Sequence, residues 1–364
     1  MPPKNLQAVA PRAALAARRR GGPAASRSRP GVSGASVVAC LLPGVMLTAA
    51  VASLAWQIGR WLPLLGAPVC GIVLGVAVRN LRAPAQAFLP GVRFVAQRVL
   101  QWSIVLLGFG LSLKTVAHTG MQSLAVTGVT IATAFLVAWA LGRVLGVAEH
   151  LKVLIGVGTA ICGGSAIAAV APVIGADEHD TAFAISTIFL FNLLAVLIFP
   201  PLGHWLHLSD LGFGMWAGTA VNDTSSVVAV AYSWSHVAGD FATVVKLTRS
   251  TLILPVCLAL AVVQSLRHRH HGVRLSLRRV FPWFILGFLA ASAVRTVGWV
   301  PREALQGIAA AATFLIVMAL SSIGLSSDLR RIAATGMRPI LLGTGVWAAV
   351  AVSSLLVQAA LGQG

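Results

Sequence analysis

The sequence predicts an all-α protein that crosses a membrane many times. Of its 364 residues, 57% are hydrophobic and only 10% are charged, whereas a soluble globular chain carries about 25% charged residues. Its mean hydropathy is +0.88. Long apolar stretches alternate with short polar loops, and each stretch is near the ~20 residues that a helix needs to cross the hydrocarbon core.

Eleven apolar stretches qualify as predicted transmembrane spans. Their close spacing predicts one polytopic domain over residues 37–361, with no soluble domain inserted between spans. The predicted spans are 37–58, 61–78, 97–113, 121–142, 153–175, 181–201, 211–234, 241–264, 280–299, 304–325 and 339–361.

Residues 1–36 differ in composition from the rest of the chain. They hold seven basic residues and no acidic residue, mixed with Ala, Pro, Gly and Ser. Such a segment cannot bury enough apolar surface to order itself. We therefore predict a basic, disordered cytoplasmic tail, and an organellar transit peptide of similar composition stays open as an alternative.

The distribution of charge sets the predicted orientation. The formal net charge of +18 falls mainly in the tail and in the loops after even-numbered spans, including the run Arg267–Arg279. The other loops hold Asp177, Glu178, Asp180 and Asp240. Because cytoplasmic loops are enriched in Lys and Arg, we predict a multi-pass protein of the bacterial inner membrane with a cytoplasmic N-terminus and an external C-terminus. Loop charge of this kind gives no reason to expect a nucleic-acid partner.

The fifth span contains a stretch that is poor at staying helical. Residues 156–172 read GVGTAICGGSAIAAVAP, and glycine weakens a helix interior. In lipid, unwound backbone survives only where protein or a water-filled cavity surrounds it. We therefore predict a discontinuous helix whose break forms part of a binding site, with the site residues Thr159, Cys162, Gly163, Gly164 and Ser165.

A second copy of this stretch lies in the seventh span. The segment GTAVNDTSSVVAVAY (218–232) matches GTAICGGSAIAAVAP (158–172) at seven of fifteen positions. Chance, or the small residues that packed membrane helices commonly share, would give a similar likeness, and that alternative stays open. We predict that the two breaks form two halves of one site near the bilayer midplane.

A longer-range repeat relates the third and tenth spans. Residues 106–124 and 319–340 share Gly-Leu-Ser and Thr-Gly-Met, and these spans cross in opposite senses. Inverted repeats are typical of secondary transporters. Under the eleven-span count, however, the two broken helices run parallel, and a re-entrant segment would change that relation.

Charged and polar side chains occur deep in spans seven and eight. Asp223 lies ~15 Å from either end of its span at 1.5 Å per residue, and an intramembrane carboxylate indicates function. Lys246 and Arg249 share one helix face. A deep guanidinium needs Asp223, backbone carbonyls or an anion as partner, whereas Lys246 has the alternative of extending its ammonium to the interface. The remaining predicted site residues are Asn222, Thr224 and Ser225.

These features predict an anion site. Half-helix N-termini after each break would point N–H groups at a ligand, Ser165 and Ser225 would add hydroxyls, and Arg249 with Lys246 would supply charge. Asp223 either pairs with Arg249 in the empty site or carries a coupling proton. A purely structural ion pair is the alternative. Asn192, a lone polar residue in span six, is expected to bond to a neighbouring helix, and a position facing the site is the alternative.

Several segments resemble the YeiH-like family of bacterial inner-membrane proteins, which is assigned to sulfate export. More distantly, that family is similar to bile-acid symporters and sodium/proton antiporters, whose inverted repeats contain crossing broken helices. The resemblance implies that the glycine breaks form such a crossing. Family members often carry His at the position of Asn222, so a proton route through that His is not expected here. The segments are ICGGSAIAAVAPVI (161–174), STIFLFN (186–192), FPPLGH (199–204), AGTAVNDTSSVV (217–228) and VKLTR (245–249).

The leading functional hypothesis is a secondary transporter that exports sulfate or a related oxyanion or organosulfur anion, coupled to H⁺ or Na⁺. A cation/proton antiporter that uses Asp223 is the alternative, and a channel or a membrane-embedded enzyme is disfavoured, since no HExxH, paired carboxylates or Ser–His arrangement occurs. No cofactor or metal is expected, because the four cysteines show no metal-binding spacing. The expected partners are the anion, the coupling ion and the bilayer, with a homo-oligomer left open.

Overall fold

In a computed structural model, residues 34–61, 66–267, 282–330 and 336–363 are described, and all their regular elements are helical. Residues 1–33 of the predicted tail and most of the basic run lie outside these residues, whereas residues 34–36, which were also predicted to belong to the tail, begin the first helix. From Cys40 onward the chain forms one compact unit. The helices are α1 Gly34–Trp61, α2 Gly66–Leu81, α3 Gln86–Gly110, α4 Leu113–Val144, α5 Glu149–Ala160, α6 Gly164–Ile174, α7 Glu178–Trp205, α8 Asp210–Ala220, α9 Thr224–Trp234, α10 His236–Thr251, α11 Ile253–Arg267, α12 Phe284–Val297, α13 Arg302–Ser326 and α14 Met337–Leu361.

Seven helical segments are long and apolar enough to cross a membrane. They are α1, α3, α4, α7, α10 with the first part of α11, α13 and α14, and three shorter helices, α2, α6 and α12, are also apolar. The all-α, multi-pass prediction is therefore confirmed. Each of the eleven predicted spans falls on a helix or on a pair of helices, but the count of eleven crossings is not confirmed, because two of these spans form hairpins.

Helices α2 and α13 pack with their backbones in contact. A Cβ atom at Gly75 would lie 2.4 Å from the Ser321 carbonyl oxygen, and one at Gly324 would lie 2.4 Å from the Ile72 carbonyl oxygen. Small residues allow this approach between membrane helices. One end of the pair is held by the Arg79–Asp328 ion pair at 3.3 Å.

Helices α8 and α9 fold back on each other as a hairpin. If residues 210–234 continued along one axis, their ends would be ~36 Å apart at 1.5 Å per residue. Instead the Trp234 indole N–H donates to Asp210 across 2.8 Å, and the Trp234 ring stacks on Phe213 with centroids 4.1 Å apart. The structure thus corrects the prediction that residues 211–234 cross the membrane once, because both ends of this segment lie on the same side.

Helices α5 and α6 also turn back at their break. A Cβ atom at Gly158 would lie 2.9 Å from Cδ1 of Ile167, although nine residues of continuous helix would separate these positions by ~13 Å. Three residues, 175–177, join α6 to the start of α7. The predicted span 153–175 is therefore a second hairpin, at the N-terminal end of α7.

The two hairpins approach the middle of α7 from opposite ends. The base of the α8–α9 hairpin lies beside the C-terminal end of the 28-residue helix α7, where His204 stacks on Trp234 at 4.0 Å. The base of the α5–α6 hairpin joins the N-terminal end of the same helix. The prediction that the two broken helices run parallel is therefore wrong. The two hairpins enter from opposite sides, and their turns meet halfway along α7.

Labelling with a membrane-impermeant thiol reagent separates this topology from eleven crossings. On a Cys40→Ser background, we expect Leu206→Cys to react from outside and Glu178→Cys only after the membrane is made permeable. Both side chains are exposed. Eleven crossings would reverse both results, whereas His236→Cys is external in either case and controls for reagent access.

Candidate functional site

The turns of the two hairpins touch each other. The α5–α6 turn comprises Ile161–Gly163, the α8–α9 turn comprises Val221–Asp223, and we call the two together the crossing. Gly163 has φ 70° and ψ −135°, a conformation that is almost confined to glycine. A Cβ atom at Gly163 would lie 3.2 Å from Cβ of Asp223. Glycine therefore permits both the turn and the close approach.

Lys246 joins the two turns. Its side chain is 0% exposed, and Nζ donates to the Ile161 carbonyl at 2.7 Å and to the Val221 carbonyl at 3.0 Å. Each carbonyl immediately follows the last residue of a half-helix, where the backbone lacks an intrahelical donor. The alternative in which Lys246 extends to the interface is wrong, because its ammonium group is buried and donates two of its three N–H groups to the two turns.

Arg249 binds the ends of the same two half-helices from one turn further along α10. It is also 0% exposed. Nε donates to the Ala160 carbonyl and Nη2 to the Thr159 carbonyl, each at 2.6 Å, and Nη1 donates to the Thr219 carbonyl. Cations are favoured at helix C-termini, where the macrodipole is negative. Of the partners that the sequence left open for Arg249, the structure assigns backbone carbonyls.

Asp223 caps the N-terminus of α9. Its carboxylate accepts from the backbone N–H of Ser225 at 3.0 Å and from the Ser225 hydroxyl, while its own backbone N–H donates to Asn192 Oδ1 at 3.2 Å. Within the described ranges, no ion pair joins Asp223 to Arg249. The predicted resting-state pair between them is therefore absent. Asn192, which was expected to bond to a neighbouring helix, instead bonds to the turn of the candidate site.

Two buried polar side chains at the crossing have unused hydrogen-bonding atoms. Asn222 is 0% exposed, and neither Oδ1 nor Nδ2 has a partner among the described residues. The same holds for the hydroxyl of Thr159, which is 1% exposed. Buried polar atoms are normally paired. Together with buried Thr224, they give the crossing donors and acceptors that are free for a ligand.

The start of α6 is the open side of the crossing. Ser165 is exposed and Asp223 is half-buried, while a Cβ atom at Gly164 would have no neighbour within 4 Å. The Ser165 hydroxyl donates to the Cys162 carbonyl at 2.9 Å and also approaches the Cys162 sulfur at 3.1 Å. No side chain caps this helix, so its positive end faces accessible space.

With Lys246 and Arg249 protonated and Asp223 ionised, the side chains at the crossing carry one net positive charge. Lys246 and Arg249 contribute two positive charges and Asp223 one negative charge. Each half-helix end adds about half an elementary charge, and the two C-termini cancel the two N-termini. Protonation of Asp223 would raise the net charge to two.

All eleven predicted site residues lie in the two turns, in the half-helices that flank them, or on α10 in contact with these elements, but sequence reasoning missed Thr219. The Thr219 carbonyl accepts from Arg249, and its hydroxyl lies 2.6 Å from the hydroxyl of Ser354 on α14. The repeat carried a signal for this residue, because Thr219 occupies the position of Thr159 in the second copy. The two copies differ at this hydroxyl, which is paired in one and unpaired in the other.

Buried charges at two opposed re-entrant turns, held inside apolar helices, place the chain among multi-pass membrane proteins. The chain belongs to the family described as Conserved hypothetical protein 698, whose profile matches residues 43–343. It is similar to a UPF0324 membrane protein from Streptococcus pyogenes serotype M18, with 45% identity over 88% of this chain and 97% of that protein. A UPF0324 membrane protein from Fusobacterium nucleatum is 40% identical over 88% of this chain and 98% of its own length. No solved structure matches the chain.

Proposed function

We propose that the protein is a secondary active transporter that works by alternating access. The observation that carries this proposal is the meeting of two hairpins from opposite sides, with Lys246 and Arg249 buried against both turns. Irregular backbone at membrane depth is tolerated where it lines a binding site. Inverted repeats with a central site characterise such transporters, and the matched segments 158–172 and 218–232 fit an inverted pair once each forms a hairpin.

The charge of the crossing supports an anionic substrate. Its net positive charge, the uncapped N-terminus of α6 and the exposed hydroxyl of Ser165 are features that bind anions. Arg249 has five N–H donors and Lys246 three, and three of the former and two of the latter contact carbonyls. The proposed substrate is sulfate or a related oxyanion or organosulfur anion, as the family resemblance also implies.

Protonation of Asp223 supplies a coupling mechanism. With Asp223 neutral, the net charge of two at the crossing matches a divalent oxyanion. With Asp223 ionised, the charge falls and the anion is released. In this scheme the anion and the proton bind together, and another cation such as Na⁺ could take the place of the proton. The protein exports the anion from a bacterial cell. Neither a cofactor nor an enzymatic step is required.

A cation/proton antiporter is the second candidate. The half-burial of Asp223 favours it, because the carboxylate is more accessible than Lys246 and Arg249, whose charges the carbonyls already balance. In this scheme Na⁺ and H⁺ compete for Asp223, and the unpaired oxygen atoms of Asn222 and Thr159 complete the ion site.

Sulfate flux in proteoliposomes tests the proposal. We expect uptake of radiolabelled sulfate to depend on an imposed pH gradient and to accelerate when unlabelled sulfate is present on the opposite face, because a carrier must return through its other conformation. A channel would show no such acceleration.

Protein-free vesicles and vesicles with heat-inactivated protein provide the controls. Sodium-dependent proton flux without movement of sulfate or sulfonates would replace the anion scheme by the antiporter. Absence of all these fluxes from folded protein would contradict the transporter proposal itself.

A further inference from the structure

A small cavity lies between α3, α9, α10 and α13, away from the crossing. Its volume is about 90 Å³, room for about three water molecules at ~30 Å³ each. It lies where α3 and α9 end and where α10 and α13 begin, and the charge pattern places these four ends outside the cell. Apolar groups form most of its wall, from Leu106, Leu107, Leu305, Ile308 and Ala309.

Three ionisable side chains meet in this cavity. The Tyr232 hydroxyl donates to Oδ1 of Asp240 at 2.5 Å, and the rings of Tyr232 and His236 meet edge to face with centroids 5.8 Å apart. His236 and Asp240 lie one helical turn apart on α10. His236 is exposed and Asp240 is half-buried. Among the residues that the structure describes, no other ionisable residue lines the cavity: α3 contributes Leu106, Leu107 and Gly110, and α13 contributes Leu305, Ile308, Ala309 and Thr313.

We infer that Asp240 in this cavity is the external proton-binding site of the transporter, which makes the proton the coupling ion. A metal cation is a poor fit, since hard cations prefer about six oxygen ligands. Apart from Asp240, the cavity wall offers as side-chain ligands the hydroxyl oxygens of Tyr232 and Thr313 and the imidazole of His236, which together fall short of six oxygen ligands. A proton needs only one carboxylate oxygen, and the second oxygen of Asp240 has no hydrogen-bond partner among the described residues.

The same side chains link proton binding to the hairpin. Tyr232 belongs to α9, which ends in the Asp223 turn, whereas Asp240 belongs to α10, which carries Lys246 and Arg249. A Cβ atom at Gly239 would lie 2.5 Å from the Tyr232 ring, so the two helices are tightly packed beside this bond. A proton from external water neutralises the Asp240 carboxylate and weakens the charge-assisted bond that holds α9 to α10.

The single tyrosine of the chain gives a direct test. Tyrosine labelled with ¹³C at the ring carbon that bears the hydroxyl yields one NMR signal from the full chain in lipid nanodiscs. We expect this signal to titrate with a single proton in the wild-type protein. The control variant is Asp210→Asn, which removes an exposed carboxylate at the same end of the α8–α9 hairpin but outside the cavity lining, and its signal should titrate in the same way. The titration should disappear in Asp240→Asn and persist in His236→Gln. Persistence in Asp240→Asn, or loss in His236→Gln, would overturn the assignment.

Transport measurements give the functional half of the test. This half rests on the proposed function, because it requires that the protein carries sulfate. In right-side-out vesicles, uptake of labelled sulfate should rise with external acidity by up to about tenfold per pH unit, the limit for one bound proton, because the proposed scheme carries the anion and the proton in the same direction. Asp240→Asn should flatten this response, Asp210→Asn should keep it, and Tyr232→Phe should change its midpoint because the carboxylate loses a donor. An unchanged profile in Asp240→Asn would refute the inference. Failure of all sulfate flux would count against the proposed function alone, because the NMR titration needs no transport.

Discussion

Replacing Arg249 with methionine should destabilise the protein by about 3 kcal/mol or more. The substitution leaves three buried carbonyls, those of Thr159, Ala160 and Thr219, without their donor, and an unsatisfied buried group costs ~1–3 kcal/mol. The side chain is fully buried, so water cannot replace the lost bonds without opening the helices. Thermal unfolding of the detergent-solubilised protein should show a melting temperature lower by several degrees, with reduced yield.

Arg143 provides the matched control for this substitution. Arg143 is exposed, and its guanidinium lies 4.6 Å from the centroid of the Trp139 ring, a contact worth ~0.5–1 kcal/mol at such a site. Arg143→Met should therefore change the melting temperature little. Equal effects of the two substitutions would mean that the carbonyl contacts of Arg249 do not hold the crossing together.

Asp223→Asn should abolish gradient-driven sulfate transport while the protein stays folded. Asparagine is as good an N-cap as aspartate, so the bond from the Ser225 N–H to the side-chain oxygen is retained. What disappears is the ionisable group that changes the charge of the crossing. Flux should fall to the level of protein-free vesicles, and the melting temperature should stay near that of wild type.

A second aspartate N-cap separates loss of charge from loss of capping. Asp177 caps α7 and accepts from the Asp180 N–H at 2.7 Å, far along the chain from the α9 turn. Asp177→Asn should transport sulfate at the wild-type rate. Wild-type flux in Asp223→Asn would exclude both roles considered for Asp223, and loss of flux in both variants would point to a general effect of losing a carboxylate.

The sequence contained enough information to locate both breaks but not to orient them. Glycine, the GTA repeat and the deep charges mark the turns, because each is costly inside a continuous membrane helix. The hairpins were missed because the loops beside them are nearly free of Lys and Arg: residues 175–180 offer only acidic groups and His179, and residues 206–209 offer only His207. Asp and Glu contribute little to topology, so charge could not tell a crossing from a return.

The candidate site was predictable as a set of residues and only partly as a set of contacts. A deep Arg and Lys on one helix face imply buried anionic or dipolar partners, but backbone carbonyls have no sequence signature. Sequence reasoning could name only one side chain, Asp223, as a partner for Arg249, but Asp223 instead caps α9. The free atoms of Asn222 and Thr159 likewise follow only from three-dimensional packing.

The position of Lys246 and Arg249 on a single helix also limits how the protein can move. Five hydrogen bonds connect α10 to the crossing, three to the α5–α6 hairpin and two to the α8–α9 hairpin. Any shift of one turn relative to the other would break several of them at once. The turns and α10 therefore behave as one mechanical unit, and access to the site from alternate sides requires other helices to tilt around it.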